Sequence, residues 1–91
     1  MIQYRVIGDI TYEVTQTIYE KYGIPEELKI RKAVLLADSY SRFYISVYYE
    51  FDGGYNDLTQ ILVDDLNTTI GLIAEYLKNL YRKHKSIKLK K

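Results

Sequence analysis

The clearest alternation of apolar and polar positions in the chain lies between Arg42 and Phe51. One set of alternate positions is wholly apolar or aromatic: Phe43, Ile45, Val47, Tyr49 and Phe51. The intervening set is Tyr44, Ser46, Tyr48 and Glu50. A period of two in β-branched and aromatic residues is typical of a strand with one face in the core. The apolar stretch 30–37 precedes it across the short break 39–41, so we predict an antiparallel hairpin.

A strand and a helix are predicted before this hairpin. Residues 1–7 alternate in polarity, which predicts a first strand. In residues 10–22 the first apolar positions continue that alternation, which would make a hairpin with the first strand. Apolar residues in the same segment also repeat every four residues, which is typical of a helix. Gly23 stands where a left-handed helix cap belongs, and Pro25 blocks continuation. We therefore predict a helix from Asp9 to Tyr22 with Asp9 as its N-cap, while a second strand in this segment remains the alternative.

The last part of the chain has a helical period. After the turn cluster 52–57, apolar residues recur at intervals of three and four, which predicts an amphipathic helix that reaches about His84. They are Leu58, Ile61, Leu62, Leu66, Thr69, Ile70, Ile73, Leu77, Leu80 and Tyr81. Four of them have the narrow spacing of a coiled-coil seam: Ile70, Ile73, Leu77 and Leu80. Either the helix packs only on its own sheet, or this seam is also a homodimer interface.

Together these elements predict one α+β domain. Their order is β-α-β-β-α, a small antiparallel sheet with helices packed on one face and a long C-terminal helix. A chain of 91 residues forms a single domain with a thin core, which a second subunit would help to bury. We assign residues 1–84 to the domain and residues 85–91 to a basic, disordered tail.

Charge is divided unevenly between the body and the end of the chain. The formal net charge is +1, yet the last fourteen residues hold seven of the 13 Lys and Arg and none of the 12 Asp and Glu. Those cations are Lys78, Arg82, Lys83, Lys85, Lys88, Lys90 and Lys91. The rest of the chain is therefore acidic, about −6 by formal count. Such a cationic end attracts polyanions or acidic protein surfaces.

Two groups of residues are candidates for contact with nucleic acid. Cations near the chain end are placed to contact phosphates: Lys78, Arg82, Lys83, Lys85 and Lys88. If five to seven cations did so, affinity would fall with salt with a log-log slope of about −5 to −6. Tyrosines beside a cation on the outer face of the best strand can stack on single-stranded bases: Arg42, Tyr44 and Tyr48. The plainer alternatives are a solubilising tail, and a strand face that is covered by a helix or a second subunit.

Catalytic chemistry has little support in the sequence. There is no Cys, which removes disulfides and thiolate chemistry, and the single histidine, His84, has no partner nearby in sequence. Acids follow the best strand and recur after it: Glu50, Asp52, Asp57, Asp64 and Asp65. A metal-dependent nuclease is a remote third hypothesis, because no Glu-x-Lys pattern accompanies them. We predict no catalytic residue, no metal ligand and no cofactor.

The leading hypothesis is a non-enzymatic nucleic-acid-binding protein of accessory or regulatory type. The alternative is a protein-interaction module, either a homodimer or an inhibitor whose acidic body mimics nucleic acid. No apolar run reaches the roughly 18 residues that cross a bilayer, so we expect no membrane partner and a cytoplasmic location. Abundant Ile, Tyr, Lys and Glu beside one Met, three Asn and three Gln resemble the composition of proteins from hot habitats.

Overall fold

The computed structural model describes residues 2–89, and the side chains of residues 88 and 89 fall outside that description. Within this range the chain forms an antiparallel sheet and two helices. The elements are β1 (Tyr4–Asp9), α1 (Thr11–Gln16) with a π-helical continuation (Thr17–Lys21), β2 (Lys29–Asp38), β3 (Phe43–Phe51), β4 (Gly54–Ile61) and α2 (Leu66–Leu89). The predicted α+β class with a long C-terminal helix is confirmed, with the element order β-α-β-β-β-α.

The sheet is a simple meander in the order β1-β2-β3-β4. Each strand pairs antiparallel with the next, so β2 and β3 are central and β1 and β4 are edges. The predicted hairpin is confirmed, because β2 and β3 pair from Lys29 opposite Glu50 to Ala37 opposite Phe43. Consecutive connections of this kind need no crossover, so the chain order alone sets the strand order.

Both helices pack on the same face of the sheet. The buried cluster combines side chains of α1, its π-helical continuation, α2 and the inward positions of β2 and β3: Val14, Ile18, Ile30, Ala33, Ile45, Val47, Ile70, Ile73 and Leu77. Ile70, Ile73 and Leu77 are at most 1% exposed, and Leu80 is half-buried beside them. The first three therefore leave no surface for a second subunit, and the alternative in which the helix packs on its own sheet describes the structure.

The first helix occurs close to its predicted position. Residues 11–21 are helical, so the alternative of a second strand in this segment is wrong. The prediction of Asp9 as the N-cap is wrong, because Asp9 is the last residue of β1 and Ile10 is the N-cap. The Oδ1 of Asp9 still accepts the amide of Thr11, the first helical residue, at 2.9 Å. Gly23 has a φ of +66°, and the amide of Ile24 donates to the carbonyl of Ile18 at 3.4 Å. This is the left-handed termination that the glycine predicted.

The long helix was predicted to begin too early. Residues 54–61 form β4, and α2 begins only at Leu66. Asp52 and Gly53 have φ values of +52° and +78° and reverse the chain in two residues, with Phe51 pairing with Gly54. An Asp-Gly pair at such a turn is a strong hairpin signal, which the helical period from Leu58 onward obscured. An edge strand with few buried side chains does not need strict alternation.

The end of α2 differs from the prediction of a disordered tail. The helix continues through Leu89, so residues 85–89 are helical, and the predicted tail residues 90 and 91 lie outside the described range. The helix runs beside β3 in the same direction. Near its start, the amide of Leu62 donates to the carbonyl of Phe43 at 2.8 Å, and near its end, the ring of Tyr81 lies 6.1 Å from that of Phe51.

Gly71 in α2 lies against the side chain of Tyr22, the residue that follows the π-helical segment. A Cβ added at Gly71 would lie 2.7 Å from the Tyr22 hydroxyl and 3.4 Å from Cζ of the same ring. A glycine inside a helix costs up to about 1 kcal/mol relative to alanine. The contact with Tyr22 explains why this position in the middle of α2 is filled by glycine.

We expect Gly71→Ala to raise the free energy of unfolding by about 1 kcal/mol when Tyr22→Phe is also present, through better helix propensity. With Tyr22 intact, the clash should cancel this gain or reverse it. Chemical denaturation of the four proteins in a double-mutant cycle measures the difference. Equal effects of Gly71→Ala in both backgrounds would contradict the proposed contact.

Candidate functional site

The face of the sheet opposite the helices carries no covering element among residues 2–89. We call it the open face and define it by these outward positions of the four strands: Tyr4, Val6, Asp9, Lys32, Val34, Leu36, Tyr44, Ser46, Tyr48, Asp57, Thr59 and Ile61. Several of its apolar side chains are well exposed: Val6 at 65%, Tyr4 at 53%, Ile61 at 42% and Tyr48 at 40%. A bare sheet face with apolar side chains is a candidate interaction surface.

The strand register arranges the open face in three rows. The first row crosses all four strands and is apolar: Val6, Leu36, Tyr44 and Ile61. The second row begins at Asp9 on β1 and continues with smaller side chains, Val34, Ser46 and Thr59, of which Val34 and Ser46 are buried between their neighbours. In it the hydroxyls of Ser46 and Thr59 lie 3.1 Å apart and share a hydrogen bond. The third row has opposite charges at its two ends: Lys32, Tyr48 and Asp57.

The turn between β2 and β3 is built around the carboxylate of Asp38, whose side chain is wholly buried. Its Oδ1 accepts the amides of Tyr40 and Arg42, at 2.8 and 2.9 Å. Its Oδ2 accepts Nε of Arg42 and the hydroxyl of Tyr44, both at 2.7 Å. Ser41 takes a φ of +63° within this turn. The carboxylate thus satisfies four donors, three from the four-residue connection and one from β3.

Burial of the Asp38 carboxyl favours its protonated form and would raise its pKa. The hydrogen bonds from the Tyr44 hydroxyl and from the amide and guanidinium of Arg42 outweigh burial, so that the pKa of Asp38 lies well below its usual 3.8. The same hydrogen bond to Asp38 raises the pKa of the Tyr44 hydroxyl. Asp38 is therefore ionised at neutral pH and holds both partners in place.

Two of the predicted stacking residues are thus engaged within the chain. Arg42 is paired with Asp38, and Tyr44 donates to the same carboxylate while its ring meets that of Tyr4 edge to face at 5.3 Å. Tyr48 remains 40% exposed two positions along β3. The sequence correctly predicted that Tyr44 and Tyr48 lie outside the helix-covered core, but it carried no signal for the Asp38 hydrogen bonds.

A second candidate surface lies on the last turns of α2, and we call it the basic surface. Its described members are Lys78, Arg82, Lys83 and Lys85. At 100° per residue, Lys78, Arg82 and Lys85 share one side of the helix and Lys83 lies on the other. Among the side chains that the structure describes, no ion pair joins these four cations to a carboxylate. Lys88 lies in α2, but its side chain is outside the description.

The inner side of this helix end contacts the loop before β2, the end of β3 and the turn after β3. The hydroxyl of Tyr81 donates to the carboxylate of Glu27 at 2.9 Å. Nδ1 of His84 lies 3.5 Å from a carboxylate oxygen of Asp52, and its ring meets that of Phe51 at 4.8 Å. The acids Glu27 and Asp52 therefore flank the helix on the side that faces the body, and the cations project from the remaining sides.

A shallow furrow of about 500 Å³ runs along the outward side of α2. It is lined by Tyr76, Asn79, Leu80, Arg82 and Lys83. Tyr76 lies close to Tyr49, whose pKa is raised by burial and by the neighbouring Tyr76 and Asp57. The furrow combines an aromatic ring, an amide and two cations, although one helix supplies all of its lining.

Glu50, near the end of β3, and Asp52, in the turn after it, have partners within the chain. Glu50 is bound by Arg31, and its hydrogen bonds with Tyr55 and Arg31 lower its pKa. Asp52 lies in the turn that follows. Within the described part of the chain, no group of three His, Cys, Asp or Glu side chains is placed to hold a metal ion.

Comparisons with known proteins found no match. No family model, curated protein or solved structure matches this chain. Within the described residues, neither helix has the length and apolar character of a membrane-spanning segment.

The hydrogen bonds of Asp38 predict a dependence of stability on acid pH. Because folding lowers the pKa of this carboxyl, its contribution is present above about pH 4 and is lost as pH falls toward the folded pKa. We expect Asp38→Asn to destabilise the fold at pH 7, and the difference from wild type to shrink as pH decreases below about 4.

Urea denaturation between neutral and acid pH measures both quantities. Tyr44→Phe is the matched control, since it removes one donor and keeps the carboxylate, and it should have a smaller effect at pH 7. A constant difference between wild type and Asp38→Asn at every pH would contradict this assignment.

Proposed function

We propose that this protein is a non-enzymatic nucleic-acid-binding protein of accessory or regulatory type, which contacts phosphates through the basic surface of α2. The observation that carries the proposal is the segregation of charge. Seven of the 13 cations lie in the last fourteen residues, where there is no acid. The described cations among them project from a helix whose inner side contacts Glu27 and Phe51 through Tyr81 and His84.

The chemistry of these side chains favours the phosphate backbone as the ligand. Six of the seven cations are lysine, which acts as a point charge and lacks the planar fork that reads a guanine edge. Contacts with phosphate give affinity without base selection. We therefore propose binding that depends strongly on salt and weakly on sequence, with the cytoplasm as the site of action.

A helical basic surface has a specific advantage over a disordered tail. Side chains on a formed helix keep fixed relative positions, so binding orders fewer backbone torsions than a flexible segment would require. The furrow beside Arg82 and Lys83 adds an exposed aromatic ring, Tyr76, within the same surface. An unpaired base could stack there while the cations contact its flanking phosphates.

A second candidate is favoured by a separate observation, the exposed apolar side chains of the open face. We propose for that face a role in protein–protein interaction, with a second copy of the chain as the partner. This role does not depend on nucleic-acid binding, because the open face and the basic surface lie on different elements.

The test of the leading proposal is the salt dependence of binding to a generic duplex and to a generic single strand. Each cation that contacts a phosphate contributes about 0.9 to the log-log slope for duplex DNA. The variant Arg82→Gln with Lys83→Gln should therefore lower the slope by about 2 and weaken binding on every sequence tested. Fluorescence anisotropy over a series of salt concentrations measures both.

The matched control carries Arg5→Gln with Lys21→Gln, which removes the same charge from exposed positions outside α2. It should change the slope much less. Absence of binding at low salt, a slope near zero, or equal effects of the two double variants would each contradict a role for the basic surface.

A further inference from the structure

Along the strands, the open face changes from an apolar row to a charged row, and this order restricts what can cover it. Its first row is apolar, its second row is small on β2, β3 and β4 and has Asp9 on β1, and its third row holds Lys32 and Asp57 at opposite ends. A partner must therefore offer apolar side chains at one end and a pair of opposite charges at the other. A partner with the charges over the apolar row would bury them without compensation, at considerable cost.

A second copy of this chain meets these requirements in one arrangement. If a two-fold axis runs along β3, each row faces the same row of the other copy, and β2 of one copy lies over β4 of the other. Leu36 then faces Ile61 of the partner subunit, and Val34 faces Thr59 of the partner subunit. The interface is isologous, so every such contact occurs twice.

The opposite charges of Lys32 and Asp57 in the third row support this axis. Within one chain, Lys32 and Asp57 are separated by β3, which places them about 10 Å apart at a strand spacing of about 4.8 Å. Across the axis, Lys32 faces Asp57 of the partner subunit, and the two long side chains can meet between packed sheets. The face thus carries both halves of a reciprocal ion pair at positions that the axis exchanges.

The size of the open face fits a modest dimer interface. With the axis along β3, only β2, β3 and β4 overlap with the partner, and β1 extends beyond it. Three strands at about 4.8 Å, with six to ten residues at about 3.3 Å each, make a patch of about 14 by 25 Å. Two such patches bury on the order of 700 Å², which is the size of a weak, transient interface.

We propose that the protein forms a two-fold dimer in which the open faces of two copies pack together about an axis along β3. Both copies of α2 then lie on the outer surfaces of a four-layer assembly. Because α2 runs in the same direction as β3, the two basic surfaces lie at the same end of the dimer. They are separated by three layer spacings, on the order of 30 Å.

The test is a charge-exchange experiment on the full chain. Lys32→Asp alone places two carboxylates opposite each other in each reciprocal pair, and Asp57→Lys alone places two ammonium groups there. Each should raise the dimer dissociation constant by about tenfold or more. The double variant Lys32→Asp with Asp57→Lys restores opposite charges and should recover the wild-type constant to within a few-fold. Sedimentation equilibrium measures all four proteins.

A second pair of variants tests the apolar row without changing the third row. Ile61→Lys should dissociate the dimer, because Ile61 is 42% exposed and faces Leu36 of the partner subunit. Tyr12→Lys is the matched control, since Tyr12 is 72% exposed on α1 and away from that face, and it should leave the dimer intact. Circular dichroism and thermal unfolding confirm that each variant is folded before its mass is interpreted.

Several outcomes would overturn the proposal: a wild-type monomer at all concentrations, a dimer that the single reversals leave unchanged, or a double variant that remains dissociated. The proposal stands independently of nucleic-acid binding. Arg82→Gln with Lys83→Gln should keep the dimer while it weakens polyanion binding, so failure of one proposal is distinguishable from failure of the other.

Discussion

Burial of one face of α2 against one face of the sheet is the interaction on which the rest of this structure depends. Ile70, Ile73 and Leu77 are almost fully removed from water there, together with the inward side chains of β2 and β3. Within residues 2–89, two helices cover the four-stranded sheet, and both lie on that face. No element of this range covers the opposite face, so its exposed apolar row is a candidate surface for a partner.

The same packing decides where the positive charge is presented. Because Tyr81 and His84 attach the end of α2 to Glu27, Phe51 and Asp52, the helix persists beyond the last buried turn. Lys78, Arg82, Lys83 and Lys85 then project from a formed helix rather than from a flexible extension. The molecule therefore has two separate surfaces, one apolar on the sheet and one cationic on the helix, and a dimer through the first would display two copies of the second.

Much of the fold was predictable because its signals are local. Alternation of apolar and polar residues predicted the β2–β3 hairpin, and Gly23 before Pro25 predicted the end of the first helix. β4 was missed because an edge strand buries little, so three-residue spacing from Leu58 outweighed the Asp-Gly turn signal. The Asp38 hydrogen bonds depend on the three-dimensional turn, which composition does not encode. Charge segregation was visible in the sequence, whereas the row pattern of the open face needed the strand register.

The most direct test of the account is a set of isotope-filtered NOEs between two differently labelled copies of the chain. Methyl groups of Leu36 and Ile61 lie two strands apart within one chain, about 10 Å, which is too far for a strong NOE. The account predicts clear intermolecular NOEs between these two methyl groups. Their absence at concentrations where a dimer forms, or intermolecular NOEs centred on α2 instead, would contradict the claim that the open face is where this protein meets its own copy.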